Sequence, residues 1–343
     1  MKIVIDNAIP FVEGVFEPYA DVVYKAGSEI CREDLADADA LIVRTRTRCD
    51  SALLEGTPVK MIASATIGTD HIDSDFCANN GIFVQNAPGC NAGGVMNYVF
   101  SALYGVAARK GIDLSEKTFG IVGVGNVGSR VETAARLLGF NVLLCDPPRA
   151  EREGTAHFTS LDELLAGSDI VSLHLPLDST TCGMVENSFF ERMRPGAFFI
   201  NTCRGEVVNE TELKKSRTKL GPVIIDTWNN EPHIDRELLE MADIATPHIA
   251  GYSYQGKQKG TAAAVRAVAR FFEITELFEF FPSCDTGAIS AVHLEMAGRT
   301  QGEIASIIQY NYPIFTDDFL FRTNPDGFES IRSGYNYRNE FFF

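Results

Sequence analysis

The opening of the chain alternates short apolar runs with stretches of helical periodicity. A longer stretch, from Asn91 to Arg109, keeps apolar residues at helical spacing and ends near Gly111, which suits a helix C-cap. This pattern predicts an α/β opening domain followed by a helix that leads into a second domain. The predicted strands of the opening domain are Lys2–Ile5, Ala40–Val43, Val59–Ala63 and Ile82–Val84.

Strands and helices alternate regularly in the second part of the chain, from FGIVGV through NVLLCD, DIVSLHLP, AFFINTCR and PVIIDTW to DIATPHIAG. Ser160 and Glu163 have the spacing of a capping box, Asn209 can cap another helix, and a short helix is expected near Leu238. Strands that are apolar on both faces and alternate with helices predict a parallel, doubly wound sheet. A helix from about Gly260 to Phe271 is expected to return to the first domain.

The pattern changes after Pro282. A helix is predicted around Gly302–Tyr310, followed by an extended DDFLFR, a PDG turn and an aromatic-rich end at Phe341–Phe343. The segment is too apolar for a disordered linker, yet it is small for a hydrophobic core. Two interpretations stay open: an oligomer interface, which we favour, and a flap packed on its own subunit.

A chain of 343 residues exceeds what one core usually organises. The predicted fold class is α/β, with two doubly wound Rossmann-like domains, a cleft between them and a small α+β C-terminal segment. Residues 1–93 with 256–281 are expected to form a substrate-binding domain and residues 94–255 a dinucleotide-binding domain. Residues 282–343 form the predicted C-terminal domain.

Composition narrows the function classes. The formal charge of −16 argues against a broad basic surface, so nucleic acid is not an expected partner. No apolar run has membrane-spanning length and the start lacks a signal-peptide pattern, so we expect a cytoplasmic protein without a membrane partner. The eight cysteines show no CxxC pair, and we expect them to be reduced and mostly buried. Cys203 is interpreted as a small hydrophobic residue rather than a reactive thiol.

The sequence GVGNVG lies between a predicted strand and a predicted helix. Gly123, Gly125 and Gly128 would let the backbone approach a pyrophosphate at the helix N-terminus. The next strand ends at Asp146, where a carboxylate can accept hydrogen bonds from the adenosine ribose and would repel a 2′-phosphate. NAD is therefore the predicted cofactor, while the nearby Arg149 keeps NADP open as an alternative.

Three later strand ends carry polar groups at the carboxyl edge of the predicted sheet, where such folds bind ligands. NTCRG presents Arg204, which can grip a carboxylate; DTWNNEP presents Glu231; and PHIAG presents His248. A histidine oriented by a carboxylate suits proton exchange with a substrate hydroxyl. Taken singly, the three could be a surface ion pair, a helix-start residue and a core histidine. Their order after a dinucleotide motif favours a catalytic set.

These motifs resemble the D-isomer-specific 2-hydroxyacid dehydrogenases over roughly Met1 to Phe272. The resemblance implies that Arg204, Glu231 and His248 are the catalytic residues, with His248 as the acid/base. The formate dehydrogenase branch would carry glutamine at the position of Glu231. On the helix between domains, where the family commonly has valine-alanine-glutamate, this chain has Val-Met-Asn ending at Asn97, a departure that concerns packing rather than chemistry.

Several stretches resemble one branch of that family, which oxidises a phosphorylated four-carbon 2-hydroxy acid. They are VRTRT, SATIGTDHID, APGCNA, LCDPPRA, HIAGYSYQGKQKGT and the tail stretch FESIRSGYNYRNEF. The tail resemblance implies a homodimer formed through the C-terminal segment. The substrate residues it implies are Thr45, Thr66 and Tyr252. The implied NAD-binding residues are Gly123, Gly125, Asn126, Val127, Gly128, Asp146, Thr202, Cys203, Arg204, Asp226 and Gly251.

Further polar groups accompany these motifs. Arg44, Arg46 and Arg48 alternate, so an extended segment would place all three on one face, where they could attract a phosphate or simply be solvated. The backbone near Gly68 could cradle a carboxylate. His71 lies close to Asp70 and Asp73, but the spacing fits no strong metal-ligand pattern, and no metal is expected. His174 is expected to be a buried, satisfied histidine, with contact to the cofactor as the alternative.

Other functions remain open at this point. The nearest alternatives within the family are 3-phosphoglycerate dehydrogenase and a glyoxylate or hydroxypyruvate reductase. An alternative of another class is an NAD-sensing corepressor-like binding protein, against which the tail resemblance argues.

Overall fold

The computed structural model describes residues 1–283 and 291–343, and within them the chain forms two compact units. The first contains residues 1–91 and 254–283, and the second contains residues 92–253 and 291–343. Residues 291–343 of the tail cluster with the second unit. Cys284, one of the eight cysteines, lies outside the described residues.

The strands are β1 Lys2–Asp6, β2 Asp21–Lys25, β3 Ala40–Val43, β4 Met61–Ser64, β5 Phe83–Gln85, β6 Thr118–Val122, β7 Asn141–Cys145, β8 Ile170–Leu173, β9 Phe198–Asn201, β10 Val223–Ile225, β11 Ile244–Ala245, β12 Val292–His293 and β13 Phe341–Phe342. The helices are α1 Ser51–Leu54, α2 Ser74–Asn79, α3 Ala92–Lys110, α4 Asn126–Leu137, α5 Pro147–Glu153, α6 Leu161–Gly167, α7 Asn187–Arg192, α8 Glu210–Ser216, α9 Arg236–Met241, α10 Tyr254–Phe271, α11 Gln301–Asn311, α12 Ile314–Thr323 and α13 Phe328–Ser333.

The first unit is built on a parallel sheet with strand order β2-β1-β3-β4-β5. Alternate residues of its strands point to opposite faces, so that Ile3 and Ile42 pack with Val265 of α10, whereas Val4 and Leu41 join a separate cluster on the other face. Both faces are covered, which explains why these strands are apolar throughout.

The second unit is built on a parallel sheet with strand order β11-β10-β9-β8-β6-β7. α3, buried from Ala92 to Ala107, packs with α4 and α11 in one core, and α6 to α9 cover a second core. The predicted class of doubly wound parallel sheets is confirmed. β9, β10 and β11 are neighbours, so the three predicted catalytic strand ends share one edge.

The helix caps predicted from the sequence are present in the structure. The capping box of Ser160 and Glu163 is formed at the start of α6, and the Asn209 side chain caps α8. Lys110 ends α3 immediately before Gly111, whose φ is 64°. These helix ends confirm the predictions made from single residue types.

Some predicted elements are wrong. The DDFLFR stretch is helical, within α12, because Ile314 and Phe321 lie on one helical face and are fully buried. β2 was not predicted, α10 begins at Tyr254 rather than near Gly260, and the PDG turn is a short 3₁₀ helix. The predicted helix around Gly302–Tyr310 is confirmed as α11.

The tail is joined to α3 by hydrogen bonds between the Asn97 side chain and the backbone of β13. Asn97 donates from Nδ2 to the Phe341 carbonyl at 2.7 Å and accepts from the Phe341 N–H at 3.0 Å. The departure from the family pattern at Asn97 therefore has a packing explanation, since a buried amide side chain satisfies the backbone of β13.

Among the described residues, no helix is both long and apolar enough to cross a membrane. The described cysteines are free, and most are buried, as expected.

Candidate active site

The GVGNVG loop joins β6 to α4, with Gly125 at the N-cap of the helix. A Cβ built on Gly128 would lie 2.1 Å from the Gly123 carbonyl oxygen, so only glycine fits at position 128. The first turn of α4 contains Asn126 and Val127, whose N–H groups have no acceptor within the helix and lie at the positive end of the helix dipole. This loop is a geometric match for a pyrophosphate.

Asp146 fixes the far side of the same loop. Its Oδ2 accepts the Val124 N–H at 2.8 Å, and its Oδ1 accepts the Arg149 N–H at 2.9 Å as the N-cap of α5. Each carboxylate oxygen keeps a lone pair that can accept a ribose hydroxyl. Arg149 instead turns to Glu153, at 2.6 Å, and to the Val124 carbonyl, at 2.6 Å. Its guanidinium is thus engaged within the protein, which favours NAD.

Two buried polar atoms without partners among the described residues follow the strands β8 and β9. The Thr202 hydroxyl and the His174 Nδ1 are buried and have no hydrogen-bond partner among the described residues. Burial lowers the pKa of His174 to about 3, so its imidazole is neutral, and Nε2 is 3.0 Å from the Ser172 hydroxyl. The His174 residue is half-buried, and only one of its ring nitrogens has a hydrogen-bond partner among the described residues, so the prediction of a buried, satisfied histidine is wrong. Together with the glycine loop, these atoms fit a dinucleotide that brings further hydrogen-bonding groups.

Asp226 organises the turn that carries the predicted acid/base. It is 1% exposed, and its carboxylate accepts the Thr246 hydroxyl at 2.7 Å and the N–H groups of Ile249 and Ala250 at 2.8 and 2.9 Å. Burial raises its pKa, although these hydrogen bonds oppose the effect. The His248 N–H donates to the Asp226 carbonyl at 2.7 Å. The predicted contact of Asp226 with the nicotinamide stays a prediction.

His248 and Glu231 form the central pair of the site. His248 Nδ1 lies 2.9 Å from Glu231 Oε2, and the other carboxylate oxygen accepts the Trp228 N–H at 3.0 Å. Both side chains are partly exposed, at 30% and 20%. Burial alone would raise the pKa of Glu231, but the charge and hydrogen bond of His248, the Trp228 N–H and the charge of Arg332 outweigh it and lower that pKa. The carboxylate is therefore ionised and orients the imidazole through Nδ1.

His248 has a left-handed backbone, with φ of 56°. This conformation is costly for a residue with a side chain and persists only where the surroundings impose it. Here the hydrogen bonds of Asp226 to the N–H groups of His248, Ile249 and Ala250 impose the left-handed conformation. The imidazole then lies at the sheet edge, where its Nε2 can contact a substrate.

Arg204 follows β9, and its loop is locked against the residues before Glu231. A Cβ on Gly205 would lie 2.0 Å from the Trp228 carbonyl carbon, so the two backbones are in direct contact. Arg204 Nη1 donates to the Cys203 carbonyl at 2.8 Å, and burial raises the pKa of the Cys203 thiol, which agrees with an inert side chain. The structure thus brings the loops of Arg204, Glu231 and His248 together.

Tyr252 meets the C-terminal segment, a contact that the sequence did not reveal. Its ring packs edge-to-face on Tyr335 and Tyr337, with centroid distances of 5.9 and 6.1 Å. The Arg332 guanidinium lies 6.0 Å from the same ring centroid. Next to it, the Ser253 hydroxyl donates to Glu340 at 2.8 Å. All four tail residues fall within the FESIRSGYNYRNEF stretch, which was the signal available in the sequence.

Gly251 completes this turn in the second unit. A Cβ on Gly94 would come within 3.2 Å of its backbone, so the start of α3 lies against it. The predicted contact of Gly251 with NAD stays a prediction.

Thr45 and Thr66 belong to the first unit. The Thr66 hydroxyl lies 2.9 Å from the Ser64 hydroxyl at the end of β4, and Thr45 lies in a turn after β3. Their contact with substrate stays a prediction.

The alternating arginines do not follow an extended segment. The chain turns after Val43, Arg44 pairs with the buried Asp6 at 3.2 Å, and Arg48 pairs with Asp50 at 2.9 Å. The premise that placed them on one face is therefore wrong.

Comparisons with known proteins agree with this geometry. The profile described as "D-isomer specific 2-hydroxyacid dehydrogenase, NAD binding domain" matches residues 102–250. The erythronate-4-phosphate dehydrogenase of Bacteroides fragilis is 42% identical over 347 residues, covering 99% of this chain and 97% of that protein. The chain belongs to the D-isomer-specific 2-hydroxyacid dehydrogenase family. It is an NAD-dependent oxidoreductase.

Other relatives of this dehydrogenase support the same assignment. The erythronate-4-phosphate dehydrogenase of Escherichia coli is 39% identical over 352 residues, covering 99% of the chain and 92% of that protein. Among solved structures, the NAD⁺-bound 3-phosphoglycerate dehydrogenase of Entamoeba histolytica has a TM-score of 0.69 at 29% identity, covering 81% of this chain and 97% of that one. D-lactate dehydrogenase of Aquifex aeolicus, complexed with NAD and lactic acid, has a TM-score of 0.65 at 26% identity, covering 82% and 98%.

Proposed function

We propose that this dehydrogenase oxidises 4-phospho-D-erythronate to (R)-3-hydroxy-2-oxo-4-phosphooxybutanoate with NAD, a step of pyridoxal 5′-phosphate (vitamin B6) biosynthesis in the cytoplasm. The substrate assignment rests on the 42% identity, over 99% of the chain, to an erythronate-4-phosphate dehydrogenase. The observation that supports the chemistry is the Glu231–His248 pair at the sheet edge.

His248 acts as the base in this direction. Its Nδ1–H donates to Glu231, which leaves the Nε2 lone pair to accept the proton of the C2 hydroxyl. The imidazolium that forms faces an ionised carboxylate, so the developing charge is stabilised where it appears. NAD, when bound, supplies the acceptor for the hydrogen leaving C2.

Arg204 binds the substrate carboxylate. Its guanidinium can make two parallel hydrogen bonds to the carboxylate, which fixes the orientation of C2 relative to His248. Tyr252, Thr45 and Thr66 provide the remaining substrate contacts in this proposal.

In this proposal one domain binds the cofactor and the other binds the substrate. The cofactor would be held by the GVGNVG loop, Asp146, Thr202, Asp226 and Gly251, within a domain spanning residues 94–255. Residues 1–93 and 256–281 form the proposed substrate-binding domain, and residues 282–343 the dimerisation segment.

A substrate panel tests the function. Purified protein with NAD is given 4-phospho-D-erythronate, 3-phospho-D-glycerate and glycolate side by side, and NADH formation is followed by absorbance. We expect the phosphorylated four-carbon acid to have the highest kcat/KM. A higher kcat/KM with either of the other acids would contradict the proposed substrate, and no turnover with any of them would favour a binding protein that senses NAD.

The C-terminal segment is the proposed dimer interface. α11 and α12 expose Tyr310, Phe319 and Leu320, at 89%, 64% and 50%, although each is large and apolar or aromatic. Exposed apolar side chains on neighbouring helices are a usual mark of a protein interface, and a second copy of this chain is the occupant that the tail resemblance implies.

Charge placed on this surface is expected to separate the dimer. Size-exclusion chromatography with light scattering should give about twice the chain mass of 37.6 kDa for the wild type and the single mass for Phe319→Asp and Leu320→Asp. Leu137→Asp, at a 61% exposed apolar position on α4, is the matched control and should stay dimeric. A monomeric wild type, or dimeric Phe319→Asp and Leu320→Asp variants, would contradict this interface.

A further inference from the structure

Arg332 of the C-terminal segment lies against the predicted substrate residue Tyr252. Its side chain is 12% exposed, and its guanidinium carbon is 6.0 Å from the Tyr252 ring centroid and 5.7 Å from that of Phe328. Both distances are within the range of cation–π attraction. Two aromatic rings therefore hold this cation in place beside the Tyr252 turn.

The hydrogen bonding of Arg332 is incomplete, in contrast to that of a neighbouring arginine. Arg338 donates to Asp317 at 2.6 Å and to the Tyr335 hydroxyl at 2.9 Å. Arg332 Nε is buried without a hydrogen-bond partner among the described residues, and the Glu329 carboxylate is 3.7 Å away, beyond hydrogen-bond length. A guanidinium held out of water without acceptors is costly, so its position needs a reason beyond packing.

The same cation is close to the reaction centre. Arg332 is one of the groups that lower the pKa of Glu231, which places its charge within electrostatic reach of the Glu231–His248 pair. A substrate held by His248 at its C2 hydroxyl therefore extends into the field of this guanidinium.

The proposed substrate carries a phosphate group that the Arg332 guanidinium could bind. Phosphate is dianionic near neutral pH, and arginine recognises it with parallel, charge-assisted hydrogen bonds. Arg204 is assigned to the carboxylate at the other end of the molecule, whereas Arg44 and Arg48 already pair with acidic side chains. A phosphate would supply the acceptors that Arg332 lacks.

We propose that Arg332 binds the phosphate group of the substrate beside Tyr252. The C-terminal segment then contributes to substrate selection as well as to assembly. This inference rests on the proposed function, because it assigns the phosphate end of that substrate.

Arg332→Met tests the role, since methionine keeps an apolar stem against Tyr252 and Phe328 but removes the charge. With 4-phospho-D-erythronate we expect kcat/KM to fall by about 10- to 100-fold, mainly through KM, because charge-assisted hydrogen bonds are lost. With unphosphorylated D-erythronate, kcat/KM should not change. Arg332→Lys should recover part of the loss, since lysine restores the charge without the bidentate geometry.

Arg299→Met is the matched control. Arg299 is an exposed arginine of the same segment, and its substitution should leave both kinetic constants unchanged. Thermal unfolding of each variant checks the fold. An equal loss of kcat/KM with both acids by a folded Arg332→Met protein would show a positioning role and overturn the assignment, as would unchanged kinetics with the phosphorylated acid.

Failure of the proposed function is recognised separately. It would appear as a lack of turnover of 4-phospho-D-erythronate by the wild type. Calorimetric titration of inorganic phosphate into the wild type and Arg332→Met, each with NAD, then tests the binding site alone. Weaker phosphate binding by the variant would support the site, and equal binding would overturn it.

Discussion

Replacing His248 with asparagine is expected to lower kcat by roughly 10²- to 10⁴-fold, the usual contribution of a general base. Asparagine can keep a hydrogen bond to Glu231 but cannot accept the hydroxyl proton. It also tolerates the left-handed backbone at this position, where φ is 56°, better than most residues do. The loss should therefore report the chemistry rather than a damaged turn.

Steady-state NADH formation measures this loss, and NAD binding, followed by calorimetry, should be largely retained. His293→Asn, at an exposed histidine of β12, provides the control and should have normal turnover. Turnover of His248→Asn close to that of the wild type would refute the assignment of His248 as the base.

Gly128→Ala is expected to destabilise the dinucleotide loop and abolish most NAD binding. The added Cβ would lie 2.1 Å from the Gly123 carbonyl oxygen, and neither backbone group can move without displacing β6 or α4. Overpacking of this kind costs roughly 1–3 kcal/mol, so Tm should fall by several degrees. Thermal unfolding and NAD titration measure the two effects.

Gly125→Ala separates the fold from the cofactor. Nothing lies within 4 Å of a Cβ at this position, and its φ of −77° suits any residue, so the apo protein should keep its Tm. Its affinity for NAD should nevertheless fall, because the new methyl group stands where the backbone approaches the pyrophosphate. If Gly128→Ala bound NAD like the wild type, the loop would not be the cofactor site.

Local residue patterns predicted most of the framework. The parallel sheets follow from apolar strands alternating with helices, and Ser160 and Asn209 cap their helices as single side chains can. The neighbouring carboxyl ends of β9, β10 and β11 likewise follow from sheet topology, which is why the sequence alone groups Arg204, Glu231 and His248.

Non-local contacts could not be predicted in the same way. The aromatic residues of α12 favour a strand by propensity, but the segment is a helix. Its Asp317 and Asp318 are buried because Arg338 and Arg322 pair with them, and the Asp317–Arg338 pair joins residues that are not neighbours in the sequence. The Arg332 contact with Tyr252 likewise joins residues far apart in sequence, and no local pattern encodes such a pairing.

The bonds of Asn97 and Ser253 to β13 and Glu340 have a consequence for biosynthesis. A ribosome makes the chain from the N-terminus, so the turn after His248 emerges well before Glu340 and Phe341, which support it. Until Glu340 has been made and has packed in place, the Ser253–Glu340 hydrogen bond that supports the substrate turn cannot form. We therefore expect the substrate turn to reach its final form only after the C-terminal segment has been synthesised and has packed against it.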